Sequence, residues 1–153
     1  MALSDLKPGI TGRLEIVVDE SHTAHAVGYD GVHVLATPTL ILFCERCAGQ
    51  SIAFAKGPRD SSVGLHNDIW HLGAARPGDT VVIESKLVEI DGRKLKFELS
   101  GTVNAPTPAG AFQSEGLSLE ELRRAGGKPL VKGIHEQVWV DLDRFLAKAS
   151  ERG

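Results

Sequence analysis

The sequence predicts an α+β domain in which an antiparallel sheet of about five strands wraps around one long central helix. Three observations carry that expectation. Within residues 35–55 a helix is expected to begin at Thr37, and from Leu40 on apolar or small side chains occupy nearly every face, as in a helix buried on all sides. Four segments of period-2 alternation, separated by turn signals, follow that helix, and a fifth precedes it. Strands that do not alternate with helices belong to an antiparallel sheet rather than a doubly wound one. An open sheet has two edges, and unpaired edges invite association, so a homodimer or higher even oligomer is expected.

Composition narrows the class. With 153 residues, 42% of them hydrophobic, the chain can build an ordinary core, and it reads as a single domain over 1–153. Its net charge of −3 is spread over interspersed charges of both signs. That excludes an extended basic surface, so no nucleic-acid or membrane partner is expected. The helical run is also too short and too polar at its end to span a bilayer. The first residues carry no apolar leader segment, which points to the cytoplasm, where Cys44 and Cys47 would be free thiols.

In chain order, Leu14, Ile16 and Val18 alternate with Arg13 and Glu15, predicting a half-buried strand. A polar segment with His22 and His25 leads to the helix. Thr37 suits its N-cap and Pro38 its first turn. After the turn cluster around Gly57 and Pro58, Val63, Leu65, Ile69 and His71 are expected on one face of a strand, with Gly64, His66, Asp68 and Trp70 on the other. The alternation over 80–90 continues through Asp91-Gly92, a type I′ hairpin signal, into a strand with Leu95, Phe97, Leu99 and Val103 on its apolar face. Residues 104–128 read as an insertion holding a small capped helix over 118–125. Leu130, Ile134, Val138 and Val140 then predict the apolar face of the last strand, and residues 141–153 a terminal helix and tail.

One residue is out of place in this scheme. Glu45 lies two turns inside the apolar helix, where an uncompensated charge is costly. A poorly solvated carboxylate suits a base or nucleophile. The spacing around it is specific: Thr37 at the helix start, Glu45 eight residues on, His71 thirty-four beyond Thr37, and Gly64 seven before that histidine. Together with Val34-Leu35-Ala36, the hairpin 88–93 and Gly133-Ile134-His135-Glu136, this pattern resembles the hotdog-fold acyl-CoA thioesterases, most closely the fluoroacetyl-CoA thioesterase-like family. The resemblance covers most of 11–103 and 129–148.

It implies a hotdog fold and hydrolysis of a small or medium acyl thioester, with coenzyme A entering as part of the substrate and no other cofactor. By the same resemblance Thr37, Glu45 and His71 form the catalytic group, and Gly64 lies at the acyl pocket. Gln137 stands where the family motif ordinarily has Arg, and Gly28-Tyr29-Asp30-Gly31 is small and polar where the fluoroacetyl-specific enzyme has aromatic lid residues.

Each residue also has a purely structural reading. Thr37 would serve as a simple cap, Glu45 as a surface partner of Arg46, His71 as a core histidine and Gly64 as a bulge. Other functions remain as alternatives. One is a non-catalytic acyl-CoA or small-ligand binding module. A hotdog hydratase is less well supported, because its Asp and His five residues apart have no match here. Cys44-x-x-Cys47 with His22-x-x-His25 resembles a zinc set, but a CxxC inside a buried helix also follows from core packing, and no metal is expected.

Overall fold

The computed structural model describes residues 2–104 and 127–151. Its elements are β1 (Thr11–Val17), α1 (Thr37–Ser51), β2 (Asp60–His71), β3 (Thr80–Asp91), β4 (Lys94–Val103), β5 (Lys128–Asp141) and α2 (Leu142–Ala149). The expected helix over 118–125 lies outside the described residues. All four strand pairings are antiparallel, in the order β1-β3-β4-β5-β2, so β1 and β2 are the edges. No helix among the described residues is long and apolar enough to cross a membrane.

Helix α1 buries a stripe of Leu40, Phe43, Cys44, Cys47 and Ala48. Toward its start the stripe packs on Leu14, Ile16, Val81, Ile83, Leu99 and Val131, and toward its end on Leu87, Leu95, Phe97 and Trp139. The expectation of a helix buried all round is corrected, because Leu42 remains 47% exposed and Arg46 and Gln50 face solvent. Among the described residues nothing covers that side of the helix.

Strand faces show how polar residues mislead a periodicity argument. In β5 the side chains toward α1 are Val131, His135, Gln137 and Trp139, all buried, while Ile134, Val138 and Val140 are only half-buried on the opposite face. Of the expected apolar face, Leu130 is buried in the core, whereas Ile134, Val138 and Val140 lie on the outer face. The inner one carries a histidine and a glutamine whose polar atoms are largely satisfied.

In β2 the register shifts between Gly64 and His66, a bulge at Leu65. Gly64 pairs with Gln137 before it and Asn67 with His135 after it, so Gly64, Asn67, Ile69 and His71 all turn toward α1. Strict alternation had separated Gly64 from His71. The β3–β4 hairpin also differs from expectation. Asp91 pairs with Lys94, leaving Gly92 and Arg93 as the two loop residues. Only Gly92 has positive φ, at 60°, which fits type II′ with glycine first rather than type I′.

Candidate active site

Two groups of side chains lie along the seam between α1 and β2. The first is at the helix start. Ala36 is extended and its N–H donates to the His22 carbonyl at 2.9 Å, after which Thr37 and Pro38 turn into α1. Thr37 does not cap the helix with its side chain. A cap of that kind is worth about 1 kcal/mol. The hydroxyl is instead hydrogen-bonded to the imidazole of His71, with Oγ1 and Nδ1 2.8 Å apart.

His71 closes β2, half-buried, and loss of solvation holds its pKa below the ordinary histidine value, with a Gly73 backbone group pulling the other way. The ring is thus neutral at pH 7. Thr37 and His71 both line a cavity of about 400 Å³ whose other walls include Ala24, Tyr29, Val32, Val34 and Pro38.

The second group is centred on Glu45, eight residues farther along and so about 12 Å up the helix axis at ~1.5 Å per residue. Its carboxylate lies against the bare backbone of Gly64, where a Cβ would come within 2.6 Å of Oε1. The glycine is what makes room for the acid. Beneath it, Gln137 Nε2 donates to the Glu45 backbone carbonyl at 3.1 Å and lies 3.0 Å from His135 Nε2, while His135 Nδ1 is 2.7 Å from Asn67 Oδ1.

His135 is fully buried, and burial keeps its pKa low against the opposing pull of Glu45 and Glu136. A neutral ring carries one proton. Since the Asn67 oxygen can only accept, that proton sits on Nδ1, and Nε2 accepts from Gln137. Both amide hydrogens of Gln137 are thereby used. Its Oε1 is left without a partner among the described residues, at a cost of about 1–3 kcal/mol.

The structure thus joins Thr37 to His71 and sets Glu45 beside Gly64, but no hydrogen bond links Glu45 to Thr37 or His71 within the chain. Sequence reasoning missed the Asn67–His135–Gln137 relay, although two polar residues two apart in an otherwise apolar strand were the available signal. The zinc-like set is dispersed. His22 Nδ1 accepts from the Asp19 N–H and His25 Nδ1 from the Gly31 N–H, while Cys47 donates to the Ile83 carbonyl. Burial pushes the thiols of Cys44 and Cys47 up to about 12 and about 11. Among the described residues no cluster of three or more His, Cys, Asp or Glu is placed to hold a metal.

Comparison with solved structures gives the class. A solved structure of the fluoroacetyl-CoA thioesterase superposes with a TM-score of 0.76 at 20% identity, covering 97% of this chain and 98% of that one. A thioesterase superfamily member from Thermus thermophilus gives 0.72 at 16% identity, covering 94% and 90%. A hot-dog-like protein from Thermanaerovibrio acidaminovorans gives 0.72 at 17%, again covering 94% and 90%. The fold is the hotdog fold of these proteins. Among curated proteins there is no match. The family profile described as fluoroacetyl-CoA-specific thioesterase matches residues 18–108, more than half of the sequence, and the chain belongs to that family. It is a thioester hydrolase.

Proposed function

We propose that the protein is a homodimeric acyl-CoA hydrolase in which each site takes Thr37 and His71 from one subunit and Glu45 from the other. The observation that carries this reading is the separation of Glu45 from the Thr37–His71 pair along a single seam. In a two-fold dimer whatever i offers to j is returned by j to i. Among the described residues the outer edge of β2 is unpaired and runs beside that seam, with Leu65 and Trp70 exposed on the strand, Leu72 exposed just past its end and Leu42 exposed on α1. Pairing two β2 edges antiparallel about their middle covers those apolar side chains. It also carries the Gly64 end of one subunit, with its Glu45, to the His71 end of the other.

The chemistry then follows from the groups assembled. The thioester carbonyl oxygen accepts from the Thr37 hydroxyl, which in turn accepts from neutral His71 and so faces developing negative charge with a polarised donor. The partner's Glu45 takes a proton from water as the water oxygen bonds to the carbonyl carbon. As the C–S bond breaks, that proton passes to the departing sulfur, leaving a carboxylic acid that ionises and a free thiol. Water is the only co-reactant. A relative in the family is solved with fluoroacetate and CoA, which supports an acyl-CoA substrate. The two free thiols suit a reducing compartment such as the cytoplasm.

Acyl-CoA esters assayed for thiol release test the reading. Glu45→Gln is expected to lower turnover by about 10² or more with folding intact, the scale of a lost general base. Subunits carrying Thr37→Ala and Glu45→Gln should each be inactive alone. Mixed in one dimer, they should recover about half of the activity, because one of the two sites is then built only from native residues. A hybrid without activity refutes the shared site. Esters that raise the melting temperature without being hydrolysed would make the protein a binding module.

A further inference from the structure

The cavity beside Thr37 and His71 carries information about the acyl group. Its walls are mostly apolar, with Ala24, Val32, Val34 and Pro38 among them, and its polar side chains are the Thr37–His71 pair and Tyr29. Among the described residues of one subunit no Lys, Arg, Asp or Glu lines it, and the partner's Glu45 that the proposed dimer brings to this pair adds negative charge, so a carboxylate on the acyl group would lose its solvation with no cation to replace it. Its volume is about 400 Å³. A cavity of roughly 150 Å³ already accommodates benzene, and an apolar space gives water few partners. A two-carbon acyl group would leave most of this space empty.

The wall has a defined shape. Residues 23–35 fold back as a small hairpin, with a Thr23–Leu35 bridge, the Ala24 N–H on the Val34 carbonyl and the His25 N–H on the Val32 carbonyl, both at 2.8 Å. His25 stacks on His33 at 4.4 Å between ring centroids, and His33 Nδ1 lies 3.1 Å from Glu20. At its tip Gly28 and Gly31 adopt φ of 111° and 82°, and a Cβ at either would meet nothing within 4 Å. The rim is therefore left open beside Tyr29.

We infer that the acyl group this site takes is uncharged, apolar and well above two carbons, a medium-chain aliphatic or aryl acyl thioester, with Val32 and Val34 setting its size. The inference rests on the hydrolase reading and extends it to the substrate. The test is kcat/KM for acetyl-, butyryl-, hexanoyl-, phenylacetyl- and succinyl-CoA. From acetyl to hexanoyl it should rise by about fourfold per methylene, the ratio that corresponds to about 0.8 kcal/mol per buried methylene. Succinyl-CoA should fall at least about 10²-fold below butyryl-CoA, which has the same number of acyl carbons. Val34→Phe should shrink the cavity and shift the hexanoyl-to-acetyl ratio toward acetyl. If that variant does not fold, Val32→Phe at the exposed rim serves instead.

Equal or better turnover of acetyl- or succinyl-CoA overturns the inference and leaves the hydrolase reading standing. If no ester is hydrolysed, the hydrolase reading fails, and the thioethers S-ethyl- and S-hexyl-CoA still test the cavity by melting temperature. A larger shift with the hexyl compound supports the inference. Equal shifts, or a shift with CoA alone matching that of the hexyl compound, overturn it, the latter because the pantetheine arm would then be the occupant.

Discussion

At the scale of single residues, the proposed site has Glu45 seated where Gly64 carries no side chain, so what is absent at one position matters as much as what is present at the other. Adding one methyl group there would bring a carbon within 2.6 Å of the Glu45 carboxylate. The end of that side chain can swing away, so the expected cost falls on chemistry rather than on folding. Gly64→Ala should lower kcat on the order of 10²-fold, the effect of displacing a reacting group by about 1 Å. Its melting temperature should stay within a few degrees of the native value. A fully active variant would separate Gly64 from the acid. The resemblance in residue type and spacing singled out the members of this group. Their partners were not legible, because a Thr before a Pro satisfies helix-capping rules whether or not its hydroxyl is used there. Thr37 reads as a cap and is engaged by His71.

At the scale of elements, every strand expected in sequence is present, and what went astray was the direction some of them face. A one-residue bulge at Leu65 reverses the parity of β2, and no composition rule announces it. β5 was inverted for another reason. Its inner face spends two positions on His135 and Gln137, so the apolar pattern looked stronger on the outside. The β2–β5 pairing has its own tight point at Gly133, where a Cβ would lie 2.1 Å from the Asp68 carbonyl oxygen and 2.6 Å from Ile69 Cα. Backbone cannot yield as a side-chain end can. Gly133→Ala should therefore cost at least about 2 kcal/mol in denaturant unfolding. A change below about 0.5 kcal/mol would show that the two strands can part without loss.

At the scale of the whole molecule, stability is coupled to pH through a group remote from the site. Glu84 is only 5% exposed, on the side of β3 opposite Ile83, and its Oε1 has no hydrogen-bond partner among the described residues. Burial raises its carboxyl from 4.5 to about 7 despite the nearby Arg13. The folded chain then binds a proton that the unfolded chain has released. Its contribution to stability is intact below about pH 4.5, declines as pH rises toward 7, and is flat above. Glu84→Gln should raise stability at pH 8, on the order of 1–3 kcal/mol, and have little effect at pH 4. Thermal melts at the two pH values check this, and equal gains at both would disconnect Glu84 from the effect.

The central helix has one more consequence, for how the protein can be measured. Both cysteines sit on its buried stripe, with thiols held almost wholly protonated at neutral pH. Thiolate is the reactive form. The native enzyme is accordingly expected to stay silent toward a thiol-trapping dye, so that the colour in a hydrolysis assay reports released product; a blank containing enzyme and dye without ester checks this. The same silence makes Cys44 and Cys47 an internal clock for opening of the core, because the dye can reach them only when α1 lifts away from the sheet.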